Sequence, residues 1–254
     1  MIVILYVFKQ IKFIYNKERL LKIIPIALLY PLSFFAFQTF GLQYTSSAEG
    51  GILLSSSPIF TLILAEYFLK EKTTILQKIS ILVSVSGVIY ITVNKSAALN
   101  FDSLMGILLL LLSALSISGY SVMARKLTKN FTSIEISTMM VVISFICYNS
   151  ISLGKHIING TISNFFAPLT NISFIISILY LGVLPSLVTS LMTNYILSKI
   201  EASKMSVFAN LGTVITIVAG AVILKENIYY YHVIGSVLIV AGVLGTNFLD
   251  KKES

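Results

Sequence analysis

One carboxylate of this 254-residue chain stands clearly inside an apolar run. Glu66 follows the segment Ile59–Ala65, where ionisable side chains are rare and commonly exchange protons or bind ions. Lys70 lies four residues further on, in the Glu-to-Lys order that stabilises a helix. Two interpretations are open: Glu66 exchanges a proton or binds an ion, or it forms a structural ion pair with Lys70. Glu49 is a second coupling candidate, although its position at the head of a helix favours a capping role.

Three adjacent hydroxyl groups precede a proline in the same apolar run. Pro58 removes a backbone donor, so nearby carbonyls lose their helical partner. Ser55, Ser56 and Ser57 can satisfy those carbonyls, or they can contact a polar substrate at mid-membrane. The residues alone leave both interpretations open.

Two asparagines also fall within apolar segments. Asn194 and Asn210 carry amides that need hydrogen-bond partners when they are buried. Either they line a substrate cavity, or they hold neighbouring helices together. Again the sequence does not decide between the two.

Other chemistries lack the residues they need. The chain has one cysteine, no HExxH zinc motif and no GxxxxGK[ST] phosphate loop. Its only aspartates, Asp102 and Asp250, lie at predicted membrane edges. These patterns argue against an enzyme, a metal site, a cofactor and nucleotide-driven pumping.

The amino-acid composition indicates what kind of secondary structure carries these polar and ionisable residues. The chain is 56% hydrophobic and 11% charged, with a mean hydropathy of +0.92. An average soluble domain is about 25% charged, so we predict an all-α integral membrane protein. Eight full spans are expected after an apolar stub at 1–15. They cover 22–41, 47–69, 74–93, 103–124, 133–153, 172–195, 203–224 and 229–248.

Lysine and arginine are distributed very unevenly across these spans. Of the 18 Lys and Arg, all but Lys95, Lys155 and Lys225 fall on one side of the predicted membrane. The positive-inside rule assigns that side, and with it the C-terminus, to the cytoplasm. The net charge of +8 therefore reflects membrane topology, and we expect no nucleic-acid partner.

The chain also repeats itself at an offset of 155 residues. Leu69-Lys70-Glu71 falls on Leu224-Lys225-Glu226, and Gly87 falls on Gly242, without a gap. By the charge count, the two copies cross the membrane in opposite directions. Inverted repeats of this kind are typical of transporters.

Small residues recur along the repeated helices. Ser57-x3-Thr61-x3-Ala65 falls on Gly212-x3-Thr216-x3-Gly220. Such a face can be an ordinary packing surface or a seam that slides during transport. The positions that we expect to pack helices are Pro58, Thr61, Ala65, Gly87, Gly212, Thr216, Gly220 and Gly242.

Three segments resemble a known family. YTSSAEGGILLSSSPIFTLILAEYFLKEK, GILLLLLSALSISGYSVMARK and IEASKMSVFANLGTVITIVAGAVILKEN follow the order and spacing of EamA-type transporters in the drug/metabolite transporter superfamily. The resemblance spans about 16–249 and implies two inverted five-helix bundles. It assigns 1–93 and 103–249 to the two halves, with 94–102 as connector and 250–254 as cytoplasmic tail. On this pattern the first helix is missing and the second is the stub.

The resemblance also implies roles for individual residues. Glu71 and Glu226 match the acidic residue that ends the fourth helix of each half, where gating or turn geometry is expected. Residues on cavity-lining helices of the family, or alternatively in an interfacial aromatic belt, are Gln38, Tyr44, Tyr120 and Tyr195.

The sequence thus predicts a multi-pass transporter of a bacterial plasma membrane. It would export small metabolites, amino acids or drugs by alternating access, with protons as the expected coupling ion through Glu66 or Glu49. The alternatives are a truncated non-transporting or regulatory membrane protein, and a helical channel. A small-molecule substrate and the lipid bilayer are the expected partners, and a homodimer is left open.

Overall fold

A computed structural model of the chain describes residues 17–45, 47–95, 104–223, 225 and 227–248. All regular secondary structure in these residues is helical, which confirms the predicted fold class. The α-helices are α1 (Lys17–Ala27), α2 (Phe34–Gly41), α3 (Ser47–Leu54), α4 (Ser57–Leu64), α5 (Ile75–Lys95), α6 (Leu104–Leu127), α7 (Ser133–Ile158), α8 (Ile172–Leu181), α9 (Thr189–Lys199), α10 (Ala202–Phe208), α11 (Leu211–Ile223) and α12 (Tyr230–Phe248).

Shorter helical segments join several of these helices. The segments Ala65–Leu69 and Gly182–Val188 are π-helical, and Ile162–Asn164 and Ala167–Thr170 are 3₁₀ turns. Leu28–Ser33 is a kink between two helices, because Tyr30 has non-helical backbone angles (φ −139°, ψ 128°). The span expected at 172–195 is therefore α8, a π-helical segment and α9, and it extends to Lys199. A π-helical segment widens the helix locally and is frequent at functional positions.

Membrane-spanning length and hydropathy are found in seven helices of the described residues. A bent pair, Ile162–Thr170 with Ile172–Tyr180, gives an eighth if it counts as one span. The seven helices are Leu21–Gly41, Gly50–Leu69, Ile75–Asn94, Leu104–Leu127, Ser133–Ile158, Ala202–Ile223 and Tyr230–Phe248. The predicted stub at 1–15, most of the connector and the predicted tail lie outside the described residues.

The span expected at 47–69 is found as Gly50–Leu69, and it contains an interruption. A turn at Ser55–Ser56 separates α3 from α4, and Pro58 stands in the first turn of α4. A proline is tolerated there because the first amides of a helix have no partner inside it. The proline thus begins a new helix instead of bending a continuous one.

The chain groups into two compact units. Unit 1 contains the described parts of 1–32 and 127–199, and unit 2 contains those of 33–126 and 200–254. Within unit 1, α7 packs against α1 and α9. Within unit 2, α5 packs along α12, and α4 packs against α10. These units follow contacts in space, whereas the proposed repeat boundaries follow the sequence.

The core of unit 2 joins both copies of the repeat. Its buried apolar residues are Leu62, Ile81, Val88, Ile91, Val207, Ile239 and Val243. They come from α4 and α5 of the first copy and from α10 and α12 of the second. This cluster of the described residues therefore belongs to both copies.

The helices α5 and α12 meet by reciprocal contacts. A Cβ placed on Gly87 would lie 2.7 Å from the Gly235 carbonyl, and one on Gly242 would lie 2.5 Å from the Ser80 carbonyl. Under the offset of 155, Ser80 corresponds to Gly235 and Gly87 to Gly242, so one contact is the repeat image of the other. Because the contacts pair rising positions on α5 with falling positions on α12, the two helices run antiparallel, as an inverted repeat requires.

Candidate functional site

The first candidate region is the interruption between α3 and α4. The Ser55 hydroxyl donates to the Ile52 carbonyl at 2.6 Å, and the Ser56 hydroxyl donates to the Leu53 carbonyl at 2.5 Å. The Leu54 carbonyl would accept from residue 58 in a continuous helix, but Pro58 has no N–H. The serines therefore satisfy the carbonyls of the turn just before the break.

The Ser57 carbonyl opens α4 and accepts two hydroxyl groups. Thr61 donates at 2.9 Å from the same helix, and Ser118 of α6 donates at 2.8 Å. Ser55 is buried, whereas Ser56 and Ser57 are half-buried. Of the two open interpretations, the contacts of Ser55 and Ser56 match local backbone satisfaction, and contact with a substrate stays a prediction.

A second interruption lies within one residue of the repeat-equivalent position, since the offset of 155 carries Ser55 to Asn210. The turn Ala209–Asn210 separates α10 from α11, although residue 213 is Thr instead of the Pro found at 58. Here Asn210, Gly212 and Thr213 donate their N–H groups to carbonyls three residues back, at 3.0–3.1 Å. The break is thus a property of both copies and does not depend on proline.

The Asn210 side chain leaves its own helix. Its amide donates to the Ser84 hydroxyl on α5 at 3.0 Å, and both groups are buried. This contact fits the prediction of interhelical bonding. The amide oxygen can still accept a hydrogen bond, so a role in substrate binding stays a prediction as well.

Asn194 occupies a comparable place in unit 1. It is fully buried on α9, and its amide donates to the Ser137 hydroxyl of α7 at 2.8 Å. The hydroxyls of Thr138, Ser144 and Ser190 lie in the same two helices, and each is buried without a hydrogen-bond partner in the described structure.

Those three hydroxyls were not anticipated from the sequence. Buried polar groups without a partner are uncommon and often mark a place for water or a ligand. No sequence signal separates them from Ser116 and Ser121, whose hydroxyls bond back to their own helix. They add polar binding capacity to the interior of unit 1.

Glu66 forms an ion pair, but with a different lysine from the one predicted. Its carboxylate lies 2.8 Å from the Lys78 ammonium and also accepts from the Thr73 hydroxyl. Lys70 adopts a left-handed conformation with φ of 58° and ends the helix, so helical i,i+4 geometry is lost. The Lys70 ammonium lies instead 5.6 Å from the Tyr67 ring. The prediction of a Glu66–Lys70 pair was therefore wrong.

Glu71 contacts the beginning of α10. Its carboxylate accepts from the Ala202 N–H at 2.9 Å, the Ser203 N–H at 3.3 Å and the Ser203 hydroxyl at 2.6 Å. The residue at the N-cap, Glu201, makes no side-chain cap of its own. Glu71 thus supplies the cap from another helix pair, and its negative charge suits the positive end of α10.

The four residues assigned to cavity-lining helices differ in exposure. Tyr120 is buried, with 1% of its surface exposed, and Gln38 is half-buried. Tyr44 and Tyr195 are 54% and 59% exposed. The exposed pair has the character of an interfacial belt, whereas Tyr120 belongs to the interior of unit 2.

The small-residue positions pack unequally. Pro58, Thr61 and Ala65 are buried, and Gly87 and Gly242 sit at the reciprocal contact. Gly220 is also buried. A Cβ on Gly212 would meet no atom within 4 Å, so its packing role stays a prediction. The side chains of Thr216 and Glu49, and all of Glu226, lie outside the described residues.

These features define a class of protein. Apolar spanning helices, an antiparallel repeated pair and breaks at equivalent positions in both copies are the architecture of secondary membrane transporters. Among the described residues, no cluster of His, Cys, Asp or Glu could hold a metal ion. The polar groups available are hydroxyls, amides and a few carboxylates.

Comparisons with known proteins agree with this class. The EamA-like transporter family matches residues 1–93 and 104–248. The chain is 46% identical over 246 residues to the uncharacterized transporter YcxC of Bacillus subtilis (strain 168), covering 96% of this chain and 79% of that protein. It is 28% identical over 208 residues to an uncharacterized transporter of Archaeoglobus fulgidus, covering 82% and 70%.

A solved crystal structure has the same fold. It superposes with a TM-score of 0.76 at 14% identity, covering 98% of this chain and 84% of the other. The family match and the relatives are decisive: this chain belongs to the EamA-like transporter family and is a multi-pass membrane transporter. The resemblance drawn from the sequence is confirmed.

Proposed function

We propose that this transporter exports small polar or amphipathic metabolites by alternating access. The observation that supports this best is the pair of helix breaks at Ser55–Ser56 and Ala209–Asn210, which stand at equivalent positions in the two copies. Broken helices supply polar backbone and side-chain groups inside a membrane, where substrates bind in many transporters.

The substrate that these groups suit is small and polar. Serine hydroxyls, asparagine amides and freed carbonyls form hydrogen bonds but carry no net charge. Amino acids and similar metabolites fit this chemistry. We assign substrate contact to Ser55 and Asn210 of unit 2. Asn194 of unit 1 is a separate candidate, and the partnerless hydroxyls of Thr138, Ser144 and Ser190 lie in the same unit.

A direct test is comparative metabolite export. Bacteria that express the chain are compared with empty-vector cells, and metabolites in the medium are measured by mass spectrometry. We expect one chemical class to accumulate, and Asn210→Ala to reduce that accumulation. Ser86→Ala is the matched control, because this exposed hydroxyl bonds only to the Val83 carbonyl of its own helix.

The outcomes separate the candidate functions. No difference in the medium, together with flat uptake assays in vesicles, would contradict export and favour a regulatory role. Flux that rises linearly with substrate and shows no counterflow would identify a channel. Saturable flux with counterflow supports alternating access.

We further propose that protons drive the transport and that Glu66 is the group to test first. The contacts with Lys78 and Thr73 favour the charged form of the Glu66 carboxylate. The carboxylate can take up a proton when these contacts break and release it when they form again. A protonophore should then collapse export, and Glu66→Gln should uncouple it from the pH gradient.

A charge exchange distinguishes coupling from a structural ion pair. If the pair is only structural, the double variant Glu66→Lys with Lys78→Glu should recover export that each single variant loses. If Glu66 carries the proton, the double variant should stay uncoupled while reaching the membrane in normal amounts.

A further inference from the structure

Unit 1 contains a cavity that the transport function does not account for. It has a volume of about 700 Å³ and opens among the start of α1, the turn before α7 and the end of α9. The described residues that line it include three cations, Arg19, Lys129 and Lys199, and one carboxylate, Glu135. These described residues carry an excess of two positive charges.

Two of the charged side chains that line the cavity, Arg19 and Glu135, are held by specific contacts. The Arg19 guanidinium donates to Glu135 at 3.2 Å and lies 5.3 Å from the centre of the Phe131 ring. Glu135 also completes a capping box with Thr132 at the beginning of α7. Arg19 is thus held in place while most of its five donors stay available for another partner.

The two lysines are placed differently. Both are exposed, and neither forms an ion pair with a described residue. The Lys199 ammonium lies 5.8 Å from the Tyr195 ring, which places a cation beside an aromatic group at the cavity wall. Tyrosine rings and lysine side chains near the ends of spanning helices are typical of the zone where lipid headgroups lie.

The location of the cavity restricts what can occupy it. It lies at the ends of the spanning helices Leu21–Gly41 and Ser133–Ile158, and the distribution of Lys and Arg predicts that this end faces the cytoplasm. Leu21, two residues after Arg19 on α1, is apolar and 57% exposed. Basic pockets between helices on the cytoplasmic side commonly bind anionic headgroups.

We propose that this cavity binds the phosphate of an anionic lipid from the cytoplasmic leaflet. Arg19, Lys129 and Lys199 contact the phosphate, and the acyl chains follow the exposed apolar surface of α1. A soluble phosphate compound shares the headgroup chemistry but lacks the acyl chains, so the test must separate the two sources.

The test measures lipid retention on the purified full chain by native mass spectrometry. Phosphatidylglycerol is offered beside zwitterionic phosphatidylcholine, and we expect the anionic lipid to be retained preferentially. Because each basic residue near a membrane surface contributes about fivefold in affinity, Lys129→Gln with Lys199→Gln should lower its retention about 25-fold. This variant leaves the Arg19–Glu135 pair intact, so thermal unfolding should be unchanged.

Two controls decide the interpretation. Lys70→Gln with Lys72→Gln removes the same charge from the predicted cytoplasmic side of unit 2, outside the cavity, and should change retention less than twofold. An equal loss in this control would overturn a specific site. Binding of glycerol phosphate or inorganic phosphate as strong as that of the lipid would overturn the lipid assignment and leave a soluble-anion site.

Discussion

The two copies of the repeat agree in backbone and differ in side-chain chemistry. Lys70 and Lys225 both adopt left-handed conformations, with φ of 58° and 55°. The helix breaks also coincide, yet Ser55 bonds to its own helix whereas its counterpart Asn210 bonds across to Ser84. Duplication has therefore kept the geometry of the broken helices while the polar groups at the breaks have diverged.

This difference indicates where function resides. A substrate is not symmetric, so a site built from both copies gains specificity when equivalent positions carry different groups. The reciprocal contact of α5 and α12, by contrast, depends on close backbone approach and has kept small residues in both copies. The predictions below test this contrast between the backbone geometry that the two copies share and the polar groups in which they differ.

The largest effect is expected at the reciprocal contact. Gly87→Ala and Gly242→Ala each place a Cβ under 3 Å from a carbonyl oxygen of the facing helix, and a backbone cannot move aside like a flexible side chain. Each variant should destabilise the protein by about 2–3 kcal/mol. Thermal unfolding in detergent measures the loss.

Gly212→Ala is the matched control for that pair. Its Cβ meets no atom within 4 Å, and alanine favours a helix over glycine by about 1 kcal/mol. A neutral or stabilising result is expected. Equal losses at all three glycines would mean that the close contact does not explain the loss, because helix propensity favours alanine at each position.

A smaller effect is expected where Glu71 caps α10. Glu71→Ala leaves two N–H groups and the Ser203 hydroxyl without their acceptor, which should cost about 1–3 kcal/mol of stability. Glu71→Gln keeps one acceptor oxygen and should cost less.

The repeat extends this prediction to Glu226. Glu226→Ala should reduce transport or stability about as much as Glu71→Ala, if the two acidic residues have kept equivalent roles. Parallel unfolding and export measurements on both variants check this. A silent Glu226→Ala beside a damaging Glu71→Ala would show that the second copy has lost the contact.

The sequence predicted the large-scale features because these depend on local signals. Run length and hydropathy located the spans, and an ungapped offset revealed the repeat. The reciprocal packing of Gly87 and Gly242 could be anticipated in kind, since small residues at matching positions indicate close helix approach.

Contacts between distant segments could not be predicted in the same way. Glu66 pairs with Lys78 because the left-handed Lys70 ends the helix and turns the chain, and nothing local to Glu66 indicates that turn. The cap that Glu71 provides spans 131 residues of sequence. The sequence near the break at Ala209–Asn210 also has no proline that would predict it. These features depend on tertiary placement.

The variants Asn210→Ala and Ser55→Ala should differ in their stability to unfolding. Asn210→Ala removes a buried bond between helices, and such bonds in membranes contribute about 0.6 kcal/mol and at most about 1.7. Ser55→Ala removes a bond within its own helix and should be nearly neutral for stability. If both variants unfold alike, the divergence of the two breaks has no structural consequence.

The smallest effect is expected at Lys70 and Lys225, the two lysines with a left-handed backbone. It tests how far the two copies share their backbone geometry. A side chain in this conformation costs about 1–2 kcal/mol, and glycine avoids that cost but loses more entropy on folding. Lys70→Gly and Lys225→Gly should each stabilise the protein by about 0.5 kcal/mol. The size of each change in stability matters less than whether the two changes are equal, because equivalent turns should respond equally in thermal unfolding. A gain at one lysine and a loss at the other would mean that only one of these turns limits stability, and the two copies would then differ in backbone energetics as they do in polar chemistry.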